Sequence, residues 1–397
     1  MIGHLATAQG SPSPTCVLDA RRLPRTPAAL RARLAELRRA LVAAGAGHVL
    51  KIALVEPSAH PLFDLDYRFV QTLPSTPAPS SVSDPGPVPD PGPVPVPGLA
   101  GSDRRSPSPY RAGERPADRF DLRGSCGHSA LAAVLAASRS GLLPRLTPGA
   151  RVRVRVLNTG DTMVCTADRA GPGGARFTAT FLPPAPVPLT GLLPGRTPTT
   201  LLHAPATPAA SAVPAVEVSL VASSNTYAFV DARVLGITTP TALFTAGTAV
   251  LDRLETLRAA AAAYLGHPPG GAFPKIAAVL PAPGHQIAAR ALTVPGWHPS
   301  LALTGALCLA SATRIPHTVP WRIAREHGIG EGPVTLLTPA GPTQVTAVTT
   351  PPTTHSPAAL RWATVTGKHV TFHGPLPLTP HRLPQETPVC PPLPAAA

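Results

Sequence analysis

Two segments near the start of the chain carry hydrophobic patterns that predict a helix followed by a buried strand. In residues 26–45, leucines recur at helical spacing, Thr26 stands where a cap belongs, and Gly45 stands where a helix ends. In residues 48–55 the run HVLKIALV is almost wholly apolar, which is typical of a strand buried on both faces. Lys51 lies in the middle of this predicted strand.

Alternation of hydrophobic and polar positions predicts strands through most of the remaining chain. The first half contains three such segments, at residues 152–157, 162–167 and 175–182. The second half contains predicted strands at residues 217–222, 226–232 and 275–282, and a long helix at 248–265. A proline-rich stretch, residues 183–214, contains the predicted crossover between the two halves.

Two alanine-rich helices that open on small residues are predicted at residues 124–144 and 303–316. Each follows strands, carries one cysteine near its start, Cys126 or Cys308, and precedes further strands. The same order in both halves indicates an internal duplication.

Residues 73–117 interrupt the folded pattern with Pro, Ser, Gly and Asp, including the tandem sequence DPGPVP. This composition predicts a solvated, polyproline-like insertion inside a domain. Such a segment is suited to recruiting another protein.

The 397 residues include 34 Lys plus Arg against 20 Asp plus Glu, for a formal net charge of +14, and 55 prolines. Only Lys51, Lys275 and Lys368 are lysines, and the arginines are scattered. Nucleic-acid binding requires clustered cations and aromatic residues, so the charge is better explained by a GC-rich genome. Attraction of small anions is compatible with it.

Membrane-spanning, disulfide-rich and metal-binding proteins are disfavoured, because the sequence lacks their characteristic patterns. The longest apolar-leaning stretch is too short to span a bilayer, and residues 1–10 have no leader-like pattern, so a cytoplasmic protein without a membrane partner is expected. The five cysteines are far apart, which favours neither a disulfide scaffold nor a metal site. No cofactor is predicted, and a homodimer stays open.

Lys51 and Cys126 are the candidate catalytic residues. A lysine within an apolar strand must lose its charge, find a partner or face a cavity, and loss of charge makes it a general base. Cys126 lies at a helix start, where the helix dipole favours the thiolate. The alternatives are an edge lysine whose amine reaches water and a cysteine that only packs.

The two helix starts are candidate carboxylate sites, because free backbone N–H groups and the positive end of the helix dipole bind anions. Small residues at a helix start also permit close packing, which is the structural alternative. The predicted substrate-binding residues are Gly124, Ser125, Gly127, His128, Asn158, Thr159, Asn225, Arg290, Thr304, Gly305 and Ala306.

The helix start GSCGHSALAAVLAASRSGLLP resembles the GNCGN-containing helix start of the 2-methylaconitate cis-trans isomerase (PrpF) family, which has the diaminopimelate-epimerase-like fold. The resemblance continues in order through CVLDARRLP, KIALVEPSAHPLFDLDYRFVQ, LNTGDT, VEVSLVASSNTYAFVDARVLGI, LDRLETLRAAAAAYLG, PKIAAVLPA and HPSLALTGALCLASATRIPHTV. It covers nearly the whole chain except the proline-rich insertion.

The resemblance implies an α+β fold of two similar domains, residues 1–195 and 196–397, each a mostly antiparallel sheet wrapped around a central helix, with the active cleft between them. It also implies a cofactor-independent isomerase that shifts or rotates a C=C bond beside a carboxylate or carbonyl. Lys51 corresponds to the proton-moving lysine and Cys126 to the cysteine of the helix start. Asn158, Asn225 and the turn at Thr304 correspond to residues that line the cleft.

The chain departs from the family pattern at the RGGTSKG loop, whose place is taken by residues 9–15, QGSPSPT. Fewer donors for carboxylates predict a less anionic, specialised-metabolite substrate in place of 2-methylaconitate. Two alternatives use the same fold: a cyclase of a polyene or polyketide intermediate, and a non-catalytic ligand-binding protein.

Overall fold

The computed structural model describes residues 1–73, 120–203, 215–268, 271–293 and 296–378. The helices of this part of the chain are α1 (Pro27–Ala43), α2 (Gly127–Arg139), α3 (Pro240–Phe244), α4 (Thr248–Tyr264), α5 (Leu303–Ala312) and α6 (Val319–Glu326). Its strands are β1 (Ile2–Ala8), β2 (Thr15–Asp19), β3 (Lys51–Pro57), β4 (Leu65–Thr72), β5 (Phe120–Asp121), β6 (Arg151–Val156), β7 (Thr162–Gly171), β8 (Gly174–Leu182), β9 (Val187–Pro188), β10 (Thr200–Leu202), β11 (Val216–Ser223), β12 (Asn225–Asp231), β13 (Lys275–Ala282), β14 (Gln286–Thr293), β15 (Gly296–Trp297), β16 (Val334–Thr338), β17 (Gly341–Thr350) and β18 (Ala359–Pro377). The fold is mixed α/β, with many strands and few helices.

The strands pair in the same order in the two halves of the chain. In the first half, β1 is antiparallel to β2, β2 is parallel to β3, β3 is antiparallel to β4, and β4 is parallel to β6. In the second half, β11, β12, β13, β14 and β16 pair with the same succession of directions. Antiparallel β6, β7 and β8 complete the first repeat, and antiparallel β16, β17 and β18 complete the second. The predicted internal duplication is confirmed.

Each repeat holds a buried helix among its strands. All residues of α2 from Gly127 to Ala137 are buried, and α5 is buried over its whole length. Helix α2 packs against β1, β2, β3, β4 and β8, and α5 packs against β11, β12, β17 and β18. A helix enclosed by strands in this way has room mainly for small side chains, which explains the alanine-rich sequences.

Two 17-residue helices lie on the outer side of the strands. Helix α1 connects the parallel strands β2 and β3, and α4 connects the parallel strands β12 and β13. Parallel neighbours need such a crossover, because a tight turn cannot join them. Leu34 and Leu41 of α1 and Leu254 and Leu257 of α4 are buried in two separate outer hydrophobic clusters.

Strand β18 joins the two repeats. It is 19 residues long and pairs with β17 of its own repeat and with β1, β8 and β9. No feature of the sequence predicted this strand.

Several sequence predictions need correction or lie outside the described residues. The strand expected at 48–55 begins at Lys51, since Val49 is buried in a turn, where its N–H donates to the Ala46 carbonyl. Lys51 is therefore the first residue of its strand. The proline-rich insertion falls almost wholly on residues 74–119, outside the described part. The domain boundary at residue 195 stays a prediction.

Across the described residues, the helices all fall short of the length and hydropathy that a membrane crossing requires.

The two buried helices meet at their starts. A Cβ atom added to Gly127, the first residue of α2, would lie 2.7 Å from the Cβ atom of Leu303, the first residue of α5, and 3.3 Å from the ring of Phe181. Only a residue without a side chain fits between the two helices at this point.

We expect the substitution Gly127→Ala to destabilise the protein by about 2 kcal/mol, because the added methyl group overpacks a rigid contact between two helices. Urea unfolding followed by circular dichroism measures this change. Gly330→Ala is the control, since a Cβ atom there meets nothing within 4 Å. Equal stabilities of the two variants would contradict the prediction.

Candidate active site

The starts of α2 and α5 face one another at the centre of the candidate site. Cys126 caps α2 and Ala302 caps α5, and neither helix receives a hydrogen bond from a capping side chain. N–H groups in the first turn of a helix have no acceptor within the helix, and the dipole makes this end positive. Both helix ends can therefore bind a negatively charged group.

Asn225 connects the two helix starts. Its side-chain oxygen accepts a hydrogen bond from the Ser125 N–H at 2.9 Å, and its amide donates to the Ser125 carbonyl at 2.8 Å and to the Thr304 hydroxyl at 2.9 Å. The side chain is buried, so all three bonds are shielded from water. Asn225 is thus a positioning residue, and its amide group is fully used within the protein.

Lys51 is the first residue of β3, and its charge acts on His128 in the first turn of α2. The residue is 4% exposed, and its Nζ donates to the Ser11 hydroxyl at 2.8 Å. Ser11 belongs to residues 9–15, the segment that replaces the family loop. The substituted segment therefore still supplies a polar contact to the lysine.

Lys275 occupies the same position in the second repeat as Lys51 does in the first. Each is the first residue of a strand parallel to its neighbour, and Lys51 aligns with Thr15 of β2 as Lys275 aligns with Tyr227 of β12. Burial lowers the pKa of Lys275 to about 8, and its Nζ lies 5.4 Å from the centre of the Phe273 ring. Lys275 is not among the predicted site residues, although KIAAV at 275–279 repeats KIALV at 51–55.

His128 and His298 form a buried stacked pair with ring centres 5.9 Å apart. Burial first, and then the charge of Lys51, hold the pKa of each imidazole well below its usual value, and Lys275 and Lys368 act in the same direction. Both rings are therefore neutral near pH 7. The Nδ1 atom of His298 accepts from the Ser300 N–H at 3.1 Å, which leaves its ring proton on Nε2.

Two buried residues in or against the first turns of α2 and α5 have side-chain polar atoms without a hydrogen-bond partner among the described residues. These atoms are the ring nitrogens of His128 and the hydroxyl of Tyr227, whose ring lies against Gly305. A buried polar group without a partner is costly, so such groups are suited to binding a ligand. Tyr227 carried no signal in the sequence.

Lys368, the third lysine, comes from β18. Its Nζ donates to the Thr343 hydroxyl of β17 at 2.9 Å, and burial lowers its pKa to about 8. The charges of all three lysines of the chain act on both histidines and lower the pKa of each imidazole.

The remaining predicted site residues divide into two groups. Ser125, Thr304 and Gly305 lie at the helix starts, and Gly124, just before them, lies against the Phe273 ring. The N–H of Ala306 is used within α5, where it donates to the Ala302 carbonyl. Cys126, at the start of α2, is 8% exposed, and the Tyr67 hydroxyl donates to its carbonyl at 3.0 Å.

Three predicted binding residues have structural partners instead. Asn158 binds the Phe69 N–H and carbonyl and the Leu122 carbonyl, and Thr159 donates to Asp161 in its own turn. Arg290 donates to the carbonyls of Leu243 and Ala246, and its guanidinium lies 3.8 Å from the centre of the Trp297 ring. Its neighbours Ala289 and Ala291 face the cluster that contains α5, so Arg290 faces the opposite side of β14. The structure does not bring Arg290 to the helix starts.

The remaining candidates for chemistry are the buried thiol of Cys308 and the side chains that could hold a metal ion. Burial raises the pKa of Cys308 to about 12, and its thiol donates to the Val221 carbonyl, which agrees with a packing role. Within the described ranges, no three His, Cys, Asp or Glu side chains come together in a way that would hold a metal ion.

This arrangement of strands and helices is found in isomerases and epimerases. The chain is similar to the solved structure of a methylitaconate-delta-isomerase, with 19% identity, a TM-score of 0.54, and coverage of 94% of this chain and 95% of that chain. It is also similar to a probable proline racemase from Agrobacterium radiobacter K84, with 15% identity, a TM-score of 0.54, and coverage of 96% and 94%. A hydroxyproline epimerase from Agrobacterium vitis has 16% identity, a TM-score of 0.51, and coverage of 94% and 90%. These similarities show the fold.

The family follows from the sequence. The family model described as PrpF protein matches residues 116–356, more than half of the chain, so the chain belongs to the PrpF family. It is accordingly an enzyme of the isomerase class. No curated protein sequence matches the chain.

We expect Asn225→Ala to destabilise the protein by about 3 kcal/mol, because three buried hydrogen bonds are lost and the Ser125 N–H is left without an acceptor. Urea unfolding measures the change. Thr226→Ala is the control, since Thr226 is the next residue, is half-buried and belongs to the same strand. A loss below about 1 kcal/mol for Asn225→Ala would show that the connection contributes little.

The two lysines with lowered pKa values offer a direct pH test. With only three lysines in the chain, labelling lysine with carbon-13 at Cε gives three side-chain NMR signals. We expect Lys275 and Lys368 to titrate with midpoints of about 8 in the folded protein. Both should return to about 10.4 in urea. Below pH 8 both are cations and above it neutral, so the site loses positive charge as pH rises.

Signals are assigned by their absence in Lys275→Gln and Lys368→Gln. Midpoints that stay above 10 in the folded state would contradict the burial of these two amines.

Proposed function

We propose that this chain is a cofactor-independent isomerase that moves a proton to shift or rotate a C=C bond beside a carboxylate. The observation that carries the proposal is the meeting of two helix starts that have no capping side chain, with Lys51 and Lys275 at equivalent positions of the two repeats. Such a site attracts a carboxylate and stabilises the negative charge that develops when a neighbouring C–H bond is broken.

Lys51 is the proposed base. The Nζ of Lys51 accepts a proton from the carbon beside the carboxylate, and the electron pair of the C–H bond moves into an enolate or dienolate. The N–H groups of the helix starts and the ammonium groups of Lys275 and Lys368 stabilise this anion. Return of the proton to another carbon, or to the same carbon after bond rotation, completes the isomerisation.

Cys126 is the proposed second proton carrier. It caps α2, beside Gly127 and His128, at the end of the helix that faces α5. The substrate lies in the cleft between the two repeats, which we propose as the two domains of the chain, residues 1–195 and 196–397.

The residues around the site bear on the charge of the substrate. The altered segment at residues 9–15 favoured a less anionic substrate. Lys51 is buried and Lys275 and Lys368 are half-buried, so their amines have lost contacts with water. A bound carboxylate would replace part of these contacts, and the lysines therefore favour an anionic substrate. We therefore propose an unsaturated acid, of specialised metabolism, that differs from 2-methylaconitate in shape and retains its carboxylate. The similarity to a methylitaconate-delta-isomerase is compatible with this class.

Proton NMR in D2O tests the reaction with 2-methylaconitate, aconitate and methylitaconate as probes. We expect deuterium to enter the allylic carbon of at least one acid, and Lys51→Ala to slow this exchange about 100-fold or more while keeping the circular dichroism spectrum. Arg361→Gln, an exposed cation on β18, should exchange at the wild-type rate.

Absence of exchange with every probe, or full exchange in Lys51→Ala, would argue against the proposed reaction.

A further inference from the structure

The loop between β1 and β2, residues 9–14, lies in the segment that replaces the family loop. Its start is held by β18, because the Gln9 N–H donates to the His369 carbonyl at 2.7 Å. The Ser11 N–H donates to the Ala8 carbonyl at 2.9 Å, which closes a turn directly after β1. The backbone at Ser11 is therefore fixed.

The single proton of the Ser11 hydroxyl determines how this side chain meets Lys51. The hydroxyl donates to the Ser13 carbonyl at 2.8 Å, so its hydrogen is used within the loop. Its oxygen is left to accept a hydrogen bond from the Nζ of Lys51, also at 2.8 Å. Within the described ranges this is the one hydrogen bond of the Lys51 side chain. It engages one N–H of the amine and leaves the rest of the amine for a substrate.

The same loop is anchored to the second repeat through Ser300, which is buried and lies just before α5. The Ser300 hydroxyl donates to the Gly10 carbonyl at 2.9 Å, and the Ser300 N–H donates to His298 at 3.1 Å. Gly10 has a φ of +81°, and a Cβ atom there would lie 2.4 Å from the Ser300 Oγ. Only glycine permits this close approach. Lys51 is thus connected to the second repeat by two serine side chains and the backbone between them.

We propose that Ser11 and Ser300 are positioning residues: Ser11 holds the amine of Lys51 where it removes the proton, and Ser300 holds the loop that carries Ser11. The inference rests on the proposed function for the role of Lys51. Misplacement of a reacting group by about 1 Å can cost 100-fold in rate, so a fixed amine favours catalysis. The segment that lacks the carboxylate donors of the family loop has thereby acquired another role, and the base of the first repeat depends on a contact with the second.

Substitutions of the two serines test this role by deuterium exchange into 2-methylaconitate, aconitate and methylitaconate, each at several concentrations. We expect Ser11→Ala to lower kcat about 30-fold and to keep KM within about threefold, because the hydroxyl contacts the base and not the substrate. Ser11→Thr keeps the hydroxyl and should stay within about threefold of the wild-type rate. Ser300→Ala should lower kcat about tenfold.

The double variant Ser11→Ala/Ser300→Ala tests whether Ser300 acts through Ser11. Effects of residues in one hydrogen-bonded network are not additive. Once the Ser11 hydroxyl is absent, loss of Ser300 should lower kcat by no more than about a further twofold. Multiplication of the two single effects would overturn the connection between the serines.

Carbon-13 relaxation at Cε of lysine measures the position of the amine without any reaction. The Lys51 signal is assigned by its absence in Lys51→Gln. We expect its order parameter to be about 0.8 in the wild type and to fall to about 0.6 or below in Ser11→Ala. The signal of Lys275, which belongs to the other repeat, should not change.

Ser140→Ala is the matched control. Ser140 is half-buried, as Ser11 is, and its hydroxyl donates to the Ala137 carbonyl at the far end of α2. This variant should keep the wild-type rate and the Lys51 order parameter. Ser11 lies in a half-buried loop position, so its variants test the proposal even if Ser300→Ala is poorly folded by circular dichroism.

The proposal is overturned if Ser11→Ala exchanges at the wild-type rate, if its Lys51 order parameter is unchanged, or if Ser11→Thr is as slow as Ser11→Ala. Failure of the isomerase proposal has a different readout. In that case neither the wild type nor any variant exchanges deuterium, while the Lys51 side chain still becomes more mobile in Ser11→Ala.

Discussion

The contact between the starts of α2 and α5 is the constraint on which the rest of the structure depends. Two helix ends of the same polarity repel each other, and each carries N–H groups that need acceptors. Asn225 satisfies one N–H group and joins Ser125 to Thr304, and Gly127 removes the side chain that would keep the helices apart. The surrounding strands then hold in place a positive, partly dehydrated space that only an anion complements.

The lysines add to that imbalance. They arrive from β3, β13 and β18, and the histidines between them are neutral. In the absence of an anion, the lowered pKa values of Lys275 and Lys368 record a cost of folding. This cost is largest below about pH 8, where both amines are charged, and falls as pH rises toward their unfolded value. The positive electric field at the site is therefore maintained at the expense of folding stability.

Sequence reasoning succeeded where information is local and failed where distant segments meet. The helix α1, the strand β13, the helix starts and the duplication follow from periodicity and small residues within short windows. Lys51 was identified because a charged residue is conspicuous in an apolar segment. Lys368 lies in a polar stretch of β18, and its surroundings depend on strands that are distant in sequence, such as β8. Asn158 and Arg290 were assigned to binding because an isolated side chain does not reveal that backbone carbonyls will occupy it.

Strand β18 has a consequence for how the molecule is made. It pairs with β1 along seven residues, among them Ala8 with Val370, and with β8 near Phe177. Strands β1 and β8 of the first repeat thus lack this neighbour until residues 359–377 have been synthesised. Contacts between residues so distant in sequence form slowly, because the entropy cost of closing a long loop is incurred before these contacts stabilise the fold. During synthesis β1 and β8 are exposed sheet edges, a state in which nascent chains are prone to pair wrongly and depend on chaperones.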